Sequence, residues 1–245
     1  MQTIKPINLS QYRRIVILTG AGISVASGLR PYRGTGGIWE DAEVERFGHV
    51  SVLEREPHAV WQLFGGLRET LKTAQPNAAH IALSRFENDL RVGQEFLLVT
   101  QNVDGLYQKA GSKNILELHG TIHRTKCSSS NCQSQAFTDS HSHLEQLPLC
   151  TNCGAAMRPD IVLFGEQLPF EVMHQTKKAL RDVDLFIAIG TSGTVSPASG
   201  FVRSAEYAGA RTILVNVEPM KHHNKAFQEE ILGKAEEILP QLFSV

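Results

Sequence analysis

All four cysteines of the chain fall between positions 127 and 153. Four residues separate Cys127 from Cys132, two separate Cys150 from Cys153, and seventeen lie between the pairs. Two thiolate pairs brought together complete a tetrahedral zinc site with no position left for water, so its role is structural rather than catalytic. The segment is rich in Ser, Gln and His and too polar to be core, which argues against four free buried thiols. His141 and His143 stand nearby as alternative ligands, and a redox-active dithiol is the other reading left open.

A second group is glycine-rich. The apolar run Ile15 to Thr19 leads into Gly20-Ala21-Gly22-Ile23-Ser24. Glycines there remove the Cβ atoms that would keep a pyrophosphate from the backbone N–H groups. The usual dinucleotide fingerprint is incomplete, because Val25 stands where a third glycine belongs and no strand ending in Asp or Glu follows at the expected distance. A tight structural turn is the alternative. The next stretch, Ser27 to Gly34, is too rich in Gly and Pro for a helix and reads as a loop that brings Arg33 toward a ligand.

Two further groups sit just past apolar runs. Phe96 to Thr100 leads into Gln101-Asn102-Val103-Asp104, where open α/β sheets place their ligands. Asn102 and Asp104 suit ribose hydroxyls and a carboxamide, or equally the cap of a helix starting near Leu106. His119 ends the run Ile115 to Leu118 before Gly120. Of ten histidines, it alone closes a strand on the side of the other candidates, where it could take a proton from a hydroxyl. His58, His80, His174, His222 and His223 read as helical or surface residues.

The elements that must position these residues follow from periodicity. Ile15 to Thr19, Phe96 to Thr100, Leu185 to Ile189 and Thr212 to Val217 are short and apolar on both faces, as buried parallel strands are. Helical patterns cover Pro57 to Thr73, Asn77 to Asn88, Phe170 to Arg181 and Pro197 to Ala208, with Asn77 as a cap. Alternation of this kind predicts a doubly wound α/β sheet. The stretch from Gly34 to Thr73 and the cysteine segment break the rhythm and read as two insertions forming a smaller lobe. The tail, Glu229 to Val245, reads as a helical end.

The 245 residues carry 24 Lys+Arg against 25 Asp+Glu, a balance that argues against direct nucleic-acid binding. No apolar run approaches the ~20 residues of a membrane span, and the first ten residues lack a signal-peptide core. A cytoplasmic location, with reduced cysteines, is the expectation.

Together these residues resemble the sirtuins, NAD-dependent protein lysine deacylases, in a bacterial-type compact form. The likeness runs from Arg14 to about Pro240, with motifs in the family's order: Gly20 to Ser24, Thr100 to Asp104, His119-Gly120, the two cysteine pairs, Phe164-Gly165-Glu166, Gly190-Thr191-Ser192 and Val215 to Glu218. Pro76 to His80 and Pro197 to Val202 strengthen it. The resemblance implies a Rossmann-like doubly wound parallel sheet over 1–34, 90–122 and 158–245. A helical insertion would occupy 35–89, and a zinc-ribbon module 123–157. It implies His119 and Asn102 as catalytic. Gly20, Ala21, Gly22, Ser24, Arg33, Gln101, Asn102 and Asp104 would hold NAD, with Gly190, Thr191, Ser192, Asn216, Glu218 and the backbone of Ala235 on the adenosine side. Cys127, Cys132, Cys150 and Cys153 would hold one structural zinc.

An acyl-lysine peptide would lie as a strand between Val162 to Gly165, Phe164 included, and Gly193 to Ser196 around Val195. Phe64 and Leu67 occupy the helix positions where succinyl-preferring sirtuins carry Tyr-x-x-Arg. Neither can grip a carboxylate, and a buried carboxylate without a partner is costly. Arg68 is one residue on, about 100° around the helix, and points elsewhere. A neutral acyl group is therefore expected, unless Phe64 and Leu67 are core residues and the pocket is set elsewhere. Mono-ADP-ribosyl transfer and NAD hydrolysis at the same site are the competing activities.

Overall fold

The computed structural model describes residues 4–32, 36–38, 42–220 and 224–244. Arg33, His222 and His223 lie outside the described residues. The four apolar runs form strands at the expected places: β1 (Arg14–Thr19), β2 (Glu95–Thr100), β7 (Leu185–Ile189) and β8 (Arg211–Asn216). With β3 (Ile115–Glu117) and β9 (Glu229–Leu232) they make one six-stranded sheet, ordered β3-β2-β1-β7-β8-β9 and parallel throughout. The chain order reverses between β1 and β7, so a crevice opens there beyond the carboxyl ends of the strands.

Alternate residues of β1 feed two cores. Ile15 and Ile17 pack with Ala79, Leu83 and Phe86 of helix α4 (Ala78–Asn88) and with Ile238 and Leu239 of helix α8 (Ala235–Leu242). Val16 and Leu18 pack on the other face with Leu180 of helix α6 (Phe170–Leu180) and with Phe201, Val202 and Ala205 of helix α7 (Phe201–Tyr207). Both faces being covered explains why these strands do not alternate. Asn77 caps α4, its side chain accepting from the N–H of Ala79 at 2.9 Å.

Two expectations are corrected here, and one element is of unexpected type only by its geometry. The tail is not wholly helical, because Glu229–Leu232 adds the edge strand β9 beside β8. Helix α4 does not belong to the insertion assigned to 35–89: its apolar face packs on the parallel sheet. The helix after the first glycine turn is a 3-10 helix, Ala21–Ser27, ended by Gly28 at φ 86°.

The smaller lobe contains helices α1 (Ala42–Phe47), α2 (Val50–Arg55) and α3 (Pro57–Leu71), while the short helix α5 (Leu106–Ala110), which follows β2, packs beside α4. It also contains an antiparallel sheet of β5 (Phe137–Thr138), β4 (Gly120–Cys127) and β6 (Met157–Ile161). This sheet overruns both bounds assigned to the zinc module, since β4 starts at Gly120 and β6 runs to Ile161. Among the described residues, no helix is long and apolar enough to cross a membrane.

Candidate active site and metal centre

The ends of β1, β7 and β8 are stitched together by main chain. The N–H of Gly20 donates to Ile189 O, Gly22 to Gly190 O and Gly190 to Val215 O, each at 2.9 Å. The glycines interlock. A Cβ on Gly20 would lie 2.7 Å from Gly190 O, one on Gly22 2.8 Å from Gly190 Cα, and one on Gly190 (φ 60°) 2.6 Å from the nitrogen of Ile23. The contacting atoms are backbone and cannot swing away. The result is a surface without side chains at the switch point, a cradle that fits a dinucleotide phosphate.

Polar groups of the second turn converge on the same crevice. Ser24 Oγ donates to Asp104 Oδ2 at 2.7 Å, and Leu106 N–H donates to Asp104 Oδ1 at 3.0 Å. The second bond ties Asp104 to the first residue of α5, whose cap position is Gly105; the first ties it to the glycine turn. Burial pushes the Asp104 carboxyl above the usual range, against the pull of these donors. Asn102 Nδ2 reaches Gly20 O at 3.2 Å and Ser24 Oγ at 3.3 Å. Its Oδ1 is buried without a partner among the described residues. An orphaned amide oxygen costs about 1–3 kcal/mol, and a bound donor would relieve that cost. Gln101 Nε2 donates to Thr191 Oγ1 at 3.1 Å, joining the turns after β2 and β7.

His119 sits in the turn between β3 and β4. Its Nδ1 lies 2.8 Å from Gln101 O. A carbonyl only accepts, so Nδ1 carries the proton and Nε2 keeps its lone pair. Burial lowers the His119 pKa, partly opposed by the Gln101 bond, and so favours the neutral base.

The adenosine-side candidates lie further along the same edge. Asn216 Nδ2 donates to Thr191 O at 2.9 Å. Ser192 and Glu218 are exposed, and Ala235 is buried at the start of α8. Ala21 and Ser24 stand on the 3-10 turn.

Of the strand-binding candidates, Phe164 is already paired. Its N–H donates to Gly48 O at 2.8 Å, and its C=O accepts from Val50 N–H at 2.9 Å. Val162 N–H donates to His119 O at 2.9 Å, and Val195 C=O accepts from Ser199 N–H at 2.9 Å. The expectation of an open edge over Val162 to Gly165 therefore narrows. Gly165, exposed at φ 87°, keeps both its N–H and C=O without a partner among the described residues. The adjoining turn is held by Glu166, whose carboxylate takes a two-pronged bond from buried Arg158 at 2.5 and 2.8 Å and a third from Leu163 N–H at 2.7 Å.

The four cysteine sulfurs lie within 4.8 Å of one another. Cys127 and Cys153 are 3.5 Å apart, and Cys132 and Cys150 3.8 Å. Zn–S bonds of 2.3 Å in a tetrahedron put sulfurs about 3.8 Å apart, so the donor set fits zinc. Ser134 and the N–H groups of Asn152 and Cys153 pull the Cys150 thiol down to about 6, toward the thiolate a metal needs. His141 and His143 are not ligands: they bond Asp139 at 3.0 and 2.8 Å.

Phe64 is 5 % exposed, within an apolar cluster that includes Val60, Val103, Ile122 and Ile161, and Leu67 packs at its edge. Arg68 points away from that cluster and is buried against β4 and Asp139.

Two residues escaped the sequence reading. His80 lies on α4, as the helical reading had it, and is wholly buried. Its Nδ1 accepts from Asn77 N–H at 3.3 Å, its Nε2 lies 3.5 Å from Ser24 Oγ, and burial lowers its pKa to about 4. The cap at Asn77 with His80 three residues on was the available signal. His123 Nε2 donates to Asp104 O at 2.9 Å, and no sequence spacing announces that contact.

A family model described as the Sir2 family matches residues 20–197. An NAD-dependent protein deacylase of Pasteurella multocida is 42% identical over 231 residues, covering 93% of this chain and 95% of that protein. A crystal structure of a Sir2 homolog–NAD complex superposes with a TM-score of 0.87 at 30% identity, covering 99% of this chain and 95% of the other. A Sir2 structure with a deacetylated p53 peptide and 3'-O-acetyl ADP ribose gives a TM-score of 0.83 at 27% identity, covering 95% and 93%. A family match over more than half of the chain and a relative 42% identical over nearly its whole length show that this chain belongs to the Sir2 family.

Proposed function

We infer that this protein is an NAD-dependent protein lysine deacylase, with one structural zinc, that transfers the acyl group of a modified lysine to ADP-ribose and releases nicotinamide. The observation that carries the reading is His119: a neutral base with Nε2 free, beside the glycine cradle at the switch point. Gly20, Ala21, Gly22 and Gly190 to Ser192 would hold the phosphates and adenosine side, with Asn216, Glu218 and Ala235. Gln101, Asn102 and Asp104 would line the nicotinamide–ribose end.

When bound, NAD would supply an electron-poor ribose carbon, once nicotinamide leaves, for the acyl oxygen to reach. The chain's own residues orient and protect that encounter. The Asn102 amide oxygen gains its missing donor, Asp104 and Ser24 fix the turn that carries it, and the apolar wall at Phe64 and Val103 excludes water. Holding oxygen and carbon at attack distance is worth up to ~7–11 kcal/mol. His119 Nε2 would then take a proton from a ribose hydroxyl, whose oxygen bonds the acyl carbon as the C–N bond to lysine breaks and the free amine leaves, at a general-base contribution of about 10²–10⁴ in rate.

The substrate is an acyl-lysine protein or peptide, bound as a strand on the free main-chain groups of Gly165 and the N–H of Val195. The acyl group is neutral. Phe64 and Leu67 offer no donor, and Arg68, the nearest cation on the helix, is fully engaged elsewhere. Relative turnover of acetyl and succinyl peptides tests this. The wild type is expected to favour acetyl by more than about tenfold, and Phe64→Tyr with Leu67→Arg to reverse the order. Equal turnover of both peptides by the wild type contradicts it.

A further inference from the structure

Helix α3 presents two neighbouring stripes. Val60, Phe64, Leu67 and Leu71 face the apolar cluster proposed as the acyl channel wall. Trp61, Gly65 and Arg68, spaced i, i+4 and i+7 on the adjacent side, face the zinc lobe. Trp61 Nε1–H donates to Met157 O at 2.8 Å, and Met157 pairs with the zinc ligand Cys127 across β4 and β6. Gly65 lies so close that a Cβ would sit 2.2 Å from Ser142 O, a backbone atom.

Arg68 completes the joint. It is 4 % exposed and spends every guanidinium N–H on the lobe. Nε donates to Ile122 O at 2.8 Å. Nη1 donates to Asp139 Oδ2 at 3.1 Å and His141 O at 2.6 Å. Nη2 donates to Arg124 O at 3.0 Å and Thr125 Oγ1 at 2.9 Å. The Trp61 ring lies beneath the guanidinium, 4.9 Å from its carbon. Thr125 is two residues from Cys127, so the chain of contacts runs from metal ligand to channel wall without a gap.

We propose that Arg68 is a positioning residue through which the zinc lobe sets the place of Phe64 and Leu67, so that the lobe governs which acyl chains are accepted as well as stability. The proposal rests on the deacylase reading above. Lysine keeps the charge but cannot reproduce a planar fork with five donors. Alanine at Gly65 would push Ser142 and the lobe outward from the other side of the joint.

The test compares wild type, Arg68→Lys and Gly65→Ala with acetyl and decanoyl peptides. It reads kcat/KM for each peptide, the KM for NAD, the peptide affinities by calorimetry without NAD, and the zinc content. Both variants are expected to retain one zinc and an unchanged KM for NAD, while the decanoyl-to-acetyl ratio of kcat/KM and of affinity moves at least about fivefold. Should Arg68→Lys fail to fold with zinc, Gly65→Ala carries the same comparison. An unchanged ratio, or a common factor on all peptides and NAD, makes the joint merely structural and overturns the proposal. A wild type that turns over neither peptide overturns the deacylase reading and the proposal together, whereas an active wild type with unshifted variants overturns the proposal alone.

Discussion

The crevice at the switch point and the zinc lobe are built by opposite means. The crevice is main chain on an apolar foundation: Gly20, Gly22 and Gly190 touch one another, and the strands beneath are aliphatic on both faces. The lobe is side chains and sulfur: its two longer strands read GTIHRTKC and MRPDI, and a buried Arg68–Asp139 pair and four cysteines hold it. A site that must accept phosphate and ribose benefits from the first construction, because backbone amides on buried strands do not reorganise on binding. The second ties a small apolar cluster to a metal, since a lobe this polar buries too little to fold by itself.

Metal removal should separate the two regions most sharply. Structural zinc contributes roughly 10–16 kcal/mol in small zinc peptides. Chelation, or Cys150→Ser, is expected to melt the lobe and abolish deacylation while the parallel sheet keeps a cooperative transition. Calorimetry with zinc quantitation reads both, and a single unshifted transition in the metal-free protein would remove the distinction.

His119→Ala should do the reverse. A loss of about 10²–10⁴ in kcat is expected with the lobe, the zinc content and Tm intact, because among the described residues the side chain makes one hydrogen bond, and it belongs to no apolar cluster. Gly22→Ala probes the foundation itself. Its Cβ would meet the Gly190 backbone, so a destabilisation of about 1–3 kcal/mol in urea unfolding should accompany a raised KM for NAD.

The smallest effect concerns pH. His119 must be neutral to accept a proton, and its pKa is lowered by burial from the ordinary 6.5. Activity is present above that pKa and lost as pH falls through it. The acid limb of kcat/KM should therefore be half-maximal below pH 6.5; a limb above 6.5 would mean that the buried site favours the imidazolium.

The same contrast explains what the sequence disclosed. The parallel strands were legible because burial on both faces leaves unbroken aliphatic runs, and the glycine turn, Asn102, Asp104 and His119 were legible because they follow those runs directly. The four cysteines declared themselves by spacing. The edge strand β9 did not, because Glu229 and Glu230 precede two apolar residues and the strand is half exposed. Strands β4 and β6 carry Arg, Lys, Asp and Pro, so no apolar run marks them. The partners of Arg68 lie 54 to 73 residues away and follow no period, so its direction was foreseeable from the helix and its destination was not.

Nicotinamide release, measured with NAD in the presence and absence of an acetyl-lysine peptide, tests the central claim most directly. The wild type should release nicotinamide only with the peptide and form O-acetyl-ADP-ribose alongside it, while His119→Ala forms neither product at a comparable rate. Release at the same rate without any peptide would make the crevice an NAD hydrolase site and contradict the account.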